Sequence, residues 1–189
     1  MERRLPALTP AGVRDEALDE EIAALTFDGA AVRDRAFAEA LKAGLHLWNE
    51  SLEKSHALAQ RVENTTGSYW HAIMHRMEPD YENAAYWFRR VGDHPVFDRL
   101  AERIARYAEE GRGREIADAA LRREWDAFAS SGKWDPFRFL RLVRIQETQA
   151  KDGVAAGLLT ELQALEMRLL LAYTHERAIG GGGGPFATI

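Results

Sequence analysis

Apolar residues recur along this chain at three- and four-residue spacing, broken at intervals by glycine, proline and Asx residues. That recurrence is the signature of amphipathic helices packed on one another. Thr9-Pro10 opens a first helix to about Leu25, with Val13, Leu18, Ile22 and Leu25 on one side, and Asp28-Gly29 marks a turn. One long helix is expected from about Val32 to Val62, on the spacing of Phe37, Leu41, Leu45, Trp48, Leu52 and Ala59, with Asn64-Thr65-Thr66-Gly67 as its break. A short helix, Ser68 to Met77, stops at Pro79, because proline disfavours helical geometry in the residue before it. Asp80 then caps Tyr81 to Val91, which ends at Gly92.

His94-Pro95 begins the next helix, to about Glu110, and Glu115 to Ser130 forms another. Asp135-Pro136 is a cap followed by proline at the first helical position, a start signal for a helix to about Lys151. After Asp152-Gly153, apolar residues nearly encircle Val154 to Ala178, which predicts a buried C-terminal helix. No segment alternates with the period of a strand. The expectation is an all-α fold, a single domain of seven or eight helices over residues 1–179, followed by a Gly-rich tail at 180–189 ending in a small apolar plug.

Composition narrows the partners. The net charge is −5, with both signs interspersed, whereas a phosphate-gripping surface usually carries a basic excess, so no nucleic acid is expected. There is no cysteine, which removes disulfides and thiolate zinc sites and points to a reducing compartment. Leu169 to Tyr173, the longest apolar run, is far too short to span a membrane, and Met1 to Leu5 lacks the apolar core of a signal peptide. The expected location is the cytoplasm.

Polar and aromatic residues concentrate between Trp48 and Phe97, and the run from Ser68 to Phe97 holds five Trp/Tyr residues, three histidines and three arginines. It resembles a group of uncharacterised helical proteins from bacteria and fungi that share a YWHxIxHRxExDxxNAxYWFRRVGxHPVF-like run; the resemblance implies an all-helical fold and names no reaction. Within it, Asp80 to Phe88 is similar to one half of a tetratricopeptide-type hairpin, without the 34-residue recurrence of a solenoid.

Several constellations carry chemistry. His71 and His75 lie four apart on one helical face, within reach of a single divalent ion, beside the apolar stripe of Trp70, Ile73, Met74 and Met77. Ala72 stands where a zinc protease would have its glutamate. The alternative is that both imidazoles bond to neighbouring helices. Glu53 and His56 have the Glu-x-x-His spacing of di-iron bundles, but no second copy exists, which leaves a mononuclear site mixing His56, His71 or His75 with a carboxylate. The short connection after Asn64 should bring all three histidines to one cavity. Asn49, Glu53, His56 and Gln60 form a polar flank on the predicted long helix. Glu166, set among leucines, must find a cation, a metal or hydrogen-bond donors if it is buried. Gln146 poses the same question more mildly. Arg76, Arg89, Arg90 and His94 suit a small anionic ligand, the alternative being solvated arginines paired with Glu78, Glu82 and Asp93, while Arg138, Arg141 and Arg144 read as a solvated face. No nucleophile–base–orienter set, phosphate loop or serine elbow is present, so no reaction is assigned. Two functions follow: a partly buried pocket for an anion or one divalent metal, built from Asn49, Glu53, His56, Gln60, His71, His75 and Arg76, or an interaction module whose aromatic hairpin docks a partner or a second copy.

Overall fold

The computed structural model describes residues 4–27 and 32–180. Among them the chain forms nine α-helices and no strand: α1 (Glu16–Ala24), α2 (Arg35–Trp48), α3 (Leu52–Ala59), α4 (Thr65–Met77), α5 (Tyr81–Val91), α6 (Val96–Glu109), α7 (Ala119–Ala129), α8 (Pro136–Ile145) and α9 (Gly153–Ile179). No helix among the described residues is long and apolar enough to cross a membrane. The Asp28-Gly29 turn, and the tail beyond Gly180, lie outside the described residues.

Capping chemistry sets most boundaries. Asp15, Asp34, Asn64, Asp80, Asp118, Asp135 and Asp152 each accept a backbone N–H from the first turn of the helix they precede, satisfying donors that have no partner within the helix. α1 therefore starts at Glu16, capped by Asp15, six residues later than Thr9-Pro10 suggests, and α4 starts at Thr65 inside the expected break. α8 runs through a π-helical turn, Gln146–Ala150, before Lys151 takes a left-handed conformation. Gln146 is buried there and accepts the Asp152 N–H at 3.1 Å.

The expected long helix is two. α2 and α3 are separated by a turn at Asn49–Ser51, where Glu50 adopts φ 62°, a left-handed conformation uncommon for a side-chain-bearing residue. The N-terminal segment supplies the reason. The Glu50 carboxylate accepts the Ala7 N–H at 2.7 Å and the Arg14 guanidinium at 3.0 Å. The Asn49 carbonyl accepts the Arg14 N–H at 3.0 Å, and the Asn49 amide donates to the Asp15 carbonyl. Helical periodicity runs through the break; contacts from residues 7–15 decide it.

α4 is the most enclosed element, with every residue from Thr66 to Met77 buried. It packs against α2, α3 and α5, and Trp70 donates to Thr174 of α9 at 3.2 Å. Gly44 of α2 permits this approach, since a Cβ there would come within 2.6 Å of the Trp70 ring. α9 packs against α2 and α6 and buries thirteen of its 27 residues, including Leu162 and Leu170.

Candidate metal centre

Two separate polar systems grow from α4, on faces about 130° apart at 100° per residue. One holds His71 and His75 and looks towards α3 and α5. The other holds Tyr69 and Arg76 and looks towards α9.

On the α9 side, Arg76 and Glu166 are both 0% exposed and form an ion pair. Tyr69 donates to the other Glu166 oxygen at 2.8 Å, and Arg76 Nε donates to Gln163 at 3.3 Å. Gln163 in turn donates to the Ala7 carbonyl at 2.9 Å. The guanidinium lies 4.7 Å from the Phe139 ring centroid. Burial and the Glu166 charge push the Tyr69 hydroxyl well above its ordinary pKa, so it stays a donor. Glu166 thus answers its burial with an arginine and a tyrosine rather than an ion.

On the other side, His56 of α3 meets His71 and His75 of α4. Their ligand nitrogens all lie within 4.8 Å of one another, and this is the only such group of three among the described residues. Ring centroids are 4.7 Å (His56–His71), 5.3 Å (His56–His75) and 4.8 Å (His71–His75) apart. His71 is 2% exposed, and neither of its ring nitrogens has a hydrogen-bond partner. His75 is buried, with Nδ1 3.2 Å from the Glu78 carboxylate, while His56 is half-buried. Trp87 of α5 stacks on His71 at 3.9 Å and 24°, and the Arg90 guanidinium lies over the Trp87 ring, 5.3 Å from its centroid.

Burial, then the neighbouring His75 and His56, hold the His71 imidazole down to a pKa of about 3. His75 is lowered by burial, against the opposing pull of Glu78. Both rings are therefore neutral near pH 7, with lone pairs free for coordination.

The other candidates lie elsewhere. Asn49 caps α2 and bonds to Asp15, beyond the turn that separates it from the α3 face. Glu53 and Gln60 are exposed, and neither Glu53 nor Glu166 belongs to the histidine group. The four groups offered to an anion do not converge: Arg76 is in the core, Arg89 and Arg90 are exposed, and His94 is engaged structurally. His94 Nδ1 accepts the Val96 N–H at 3.4 Å, which leaves Nε2–H to donate to Thr66 at 3.1 Å. That tautomer is neutral, and burial keeps its pKa at about 4. Arg138, Arg141 and Arg144 pair with Asp135, Glu124 and Glu82.

Sequence reasoning missed a further buried cluster. Asp19 of α1 contacts His46 Nδ1 at 2.7 Å, Lys54 at 2.9 Å and the Ser51 hydroxyl at 3.2 Å. Burial alone would raise the Asp19 pKa, but the bonds from Lys54, His46 and Ser51 outweigh it and hold it low. This cluster fastens α1 across the α2–α3 turn and offers no vacant donor set. Reasoning from sequence also missed Trp87 and Glu78 as neighbours of the histidines; the i, i+3 spacing of His75 and Glu78 was the available signal.

Comparison with protein-family models, curated proteins and solved structures finds no match to this chain.

Proposed function

We propose that this protein binds one divalent first-row transition-metal ion through His56, His71 and His75. One observation carries the reading: three imidazoles from two helices crowd together around a buried ring, His71, whose two nitrogens bond to nothing else. A buried polar atom left unpaired costs about 1–3 kcal/mol and calls for an explanation, of which a bound ion is one.

The donor set selects the class of ion. Three imidazole nitrogens, with no thiolate or carboxylate in the group, favour zinc, copper, cobalt or nickel over magnesium or calcium. Glu78 lies 3.2 Å from His75 Nδ1 without hydrogen-bond geometry; with Nε2 on the ion, a turn of the ring would bring Nδ1–H onto that carboxylate, the usual group behind a ligating histidine. An ion held by three neutral nitrogens keeps a position for water or a small anion, and acidifies such a water. His56 is the most exposed of the three rings.

The rings must rearrange to receive an ion. Zinc ligands at about 2.0–2.1 Å in tetrahedral geometry are about 3.3 Å apart, so a spread of up to 4.8 Å must contract. His71 and His75 also stack within 16° of parallel. Planes so inclined meet on the order of 10 Å away, whereas an ion sits about 2 Å from each nitrogen in its ring plane. One ring turns on binding.

The rival docking reading loses its main support in the aromatic residues: Trp70 is 0% exposed and Trp87 is half-covered against His71. The stretch that carries the family resemblance contains His71, His75, Glu78 and Trp87, and we extend the proposal to the group that shares it.

The test is metal content of untagged protein purified without chelators, followed by calorimetric titration of stripped protein with zinc, cobalt and copper. One ion per chain is expected, lost in His56→Ala, His71→Ala and His75→Ala. Metal content near zero together with no titration heat for any of the three ions refutes the assignment.

A further inference from the structure

We propose that Trp87 is the positioning residue of the histidine centre, holding His71 as the stationary ligand onto which His75 turns when an ion is taken up. This rests on the metal-binding reading above and deepens it.

The geometry separates the two α4 histidines by how freely each can move. His71 stacks with two rings, Trp87 at 3.9 Å and His75 at 4.8 Å. Trp87 is itself covered by the Arg90 guanidinium at 5.3 Å. The result is a four-layer stack, Arg90–Trp87–His71–His75, contributed by α5 and α4. His71 cannot rotate without lifting an indole.

His75 ends the stack. Its ring is buried, meets the His56 ring edge to face at 5.3 Å, and has beside it Glu78, whose side chain is 52% exposed. Since nearly parallel rings cannot share an ion, one must turn, and His75 is the one whose surroundings yield. Its partner Glu78 lies three residues on and can follow through solvent. A ligand locked in place before binding loses less freedom when the ion arrives, and groups behind a ligand typically change metal affinity 10–100-fold.

The experiment measures zinc affinity by competition with a chromophoric chelator, and uptake by stopped-flow fluorescence, on Trp87→Leu, Trp87→Met and Trp87→Phe. Circular dichroism first establishes that each variant is folded at the working temperature; methionine fills the space without a ring if leucine does not fold. Loss of the ring should weaken zinc binding 10–100-fold in Trp87→Leu and Trp87→Met. Trp87→Phe, which keeps a stacking face, should stay within about threefold of the parent. The parent's uptake rate should level off with rising zinc, because the turn of His75 limits it. A purely structural Trp87 would shift melting temperatures and leave the affinity of the folded variants alone. Unchanged affinity in folded Trp87→Leu or Trp87→Met overturns the positioning role while leaving the metal centre standing. A parent that binds no zinc overturns both.

Discussion

Replacing His71 by leucine separates a ligand from an architectural imidazole, because the two readings give opposite signs. His71 is buried with both nitrogens unpartnered. Removing a stranded polar group should return about 1–3 kcal/mol. Against this stands the lost stack on Trp87, worth about 0.5–1.5 kcal/mol, while leucine has the better helix propensity in α4. The balance favours the variant by about 1 kcal/mol. For a chain of this size each kcal/mol moves the melting temperature by about 2–4 °C. Metal-free His71→Leu should therefore melt above metal-free parent. Zinc at 100 times its dissociation constant should stabilise the parent by about 2.7 kcal/mol, roughly 5–10 °C, and leave the variant where it was. The assay is a thermal scan of both proteins, with zinc and with chelator. A metal-free variant melting more than about 2 °C below the parent, with no zinc shift in the parent, would show that the imidazole is part of the architecture and that the reasoning is wrong.

The Arg76–Glu166 pair should behave as a buried ion pair. Arg76→Met or Glu166→Leu alone strands a charge in the core and should cost about 3–5 kcal/mol in urea denaturation, with Arg76→Met/Glu166→Leu losing much less than the sum; additive losses would contradict direct coupling. Leu162→Ala or Leu170→Ala, both at fully buried positions of α9, should cost about 2–5 kcal/mol, and a loss below about half a kilocalorie would remove α9 from the core. Metal-free stability should fall with acid. His71 and His94 have folded pKa values of about 3 and about 4, below the ordinary 6.5, so the unfolded chain binds more protons below pH 6.5. Their contribution is complete above that value and is lost progressively as pH falls through about 4 for His94 and about 3 for His71; a flat urea midpoint between pH 7 and 4.5 would contradict their burial as neutral rings.

Much of the fold was legible because helices are written locally. Asp80, Asp135 and Asp152 cap the helices their positions announced, since a cap needs only a side chain and an N–H two or three residues on. The α2–α3 turn was invisible for the opposite reason. Nothing near Glu50 breaks a helix; the turn exists because Ala7 and Arg14, some forty residues upstream, bind its carboxylate. Asn49 left the expected polar flank with that turn. The same contrast runs through the site. Four-residue spacing placed His71 beside His75, and a short connection brought α3 back against α4, so the grouping with His56 followed from chain geometry.

By itself, then, the sequence determined most of the segments that are helical, where several of them start, and which residue types face one another across a turn of helix. These depend on interactions within a few residues. Only the tertiary structure decided that Arg76 turns from the histidines towards Glu166, that His94 spends its nitrogens on Thr66 and Val96, and that Trp87 covers His71. Those outcomes depend on which helix face meets which partner. Packing of distant elements sets that, because a buried charge or donor must be matched wherever the fold encloses it.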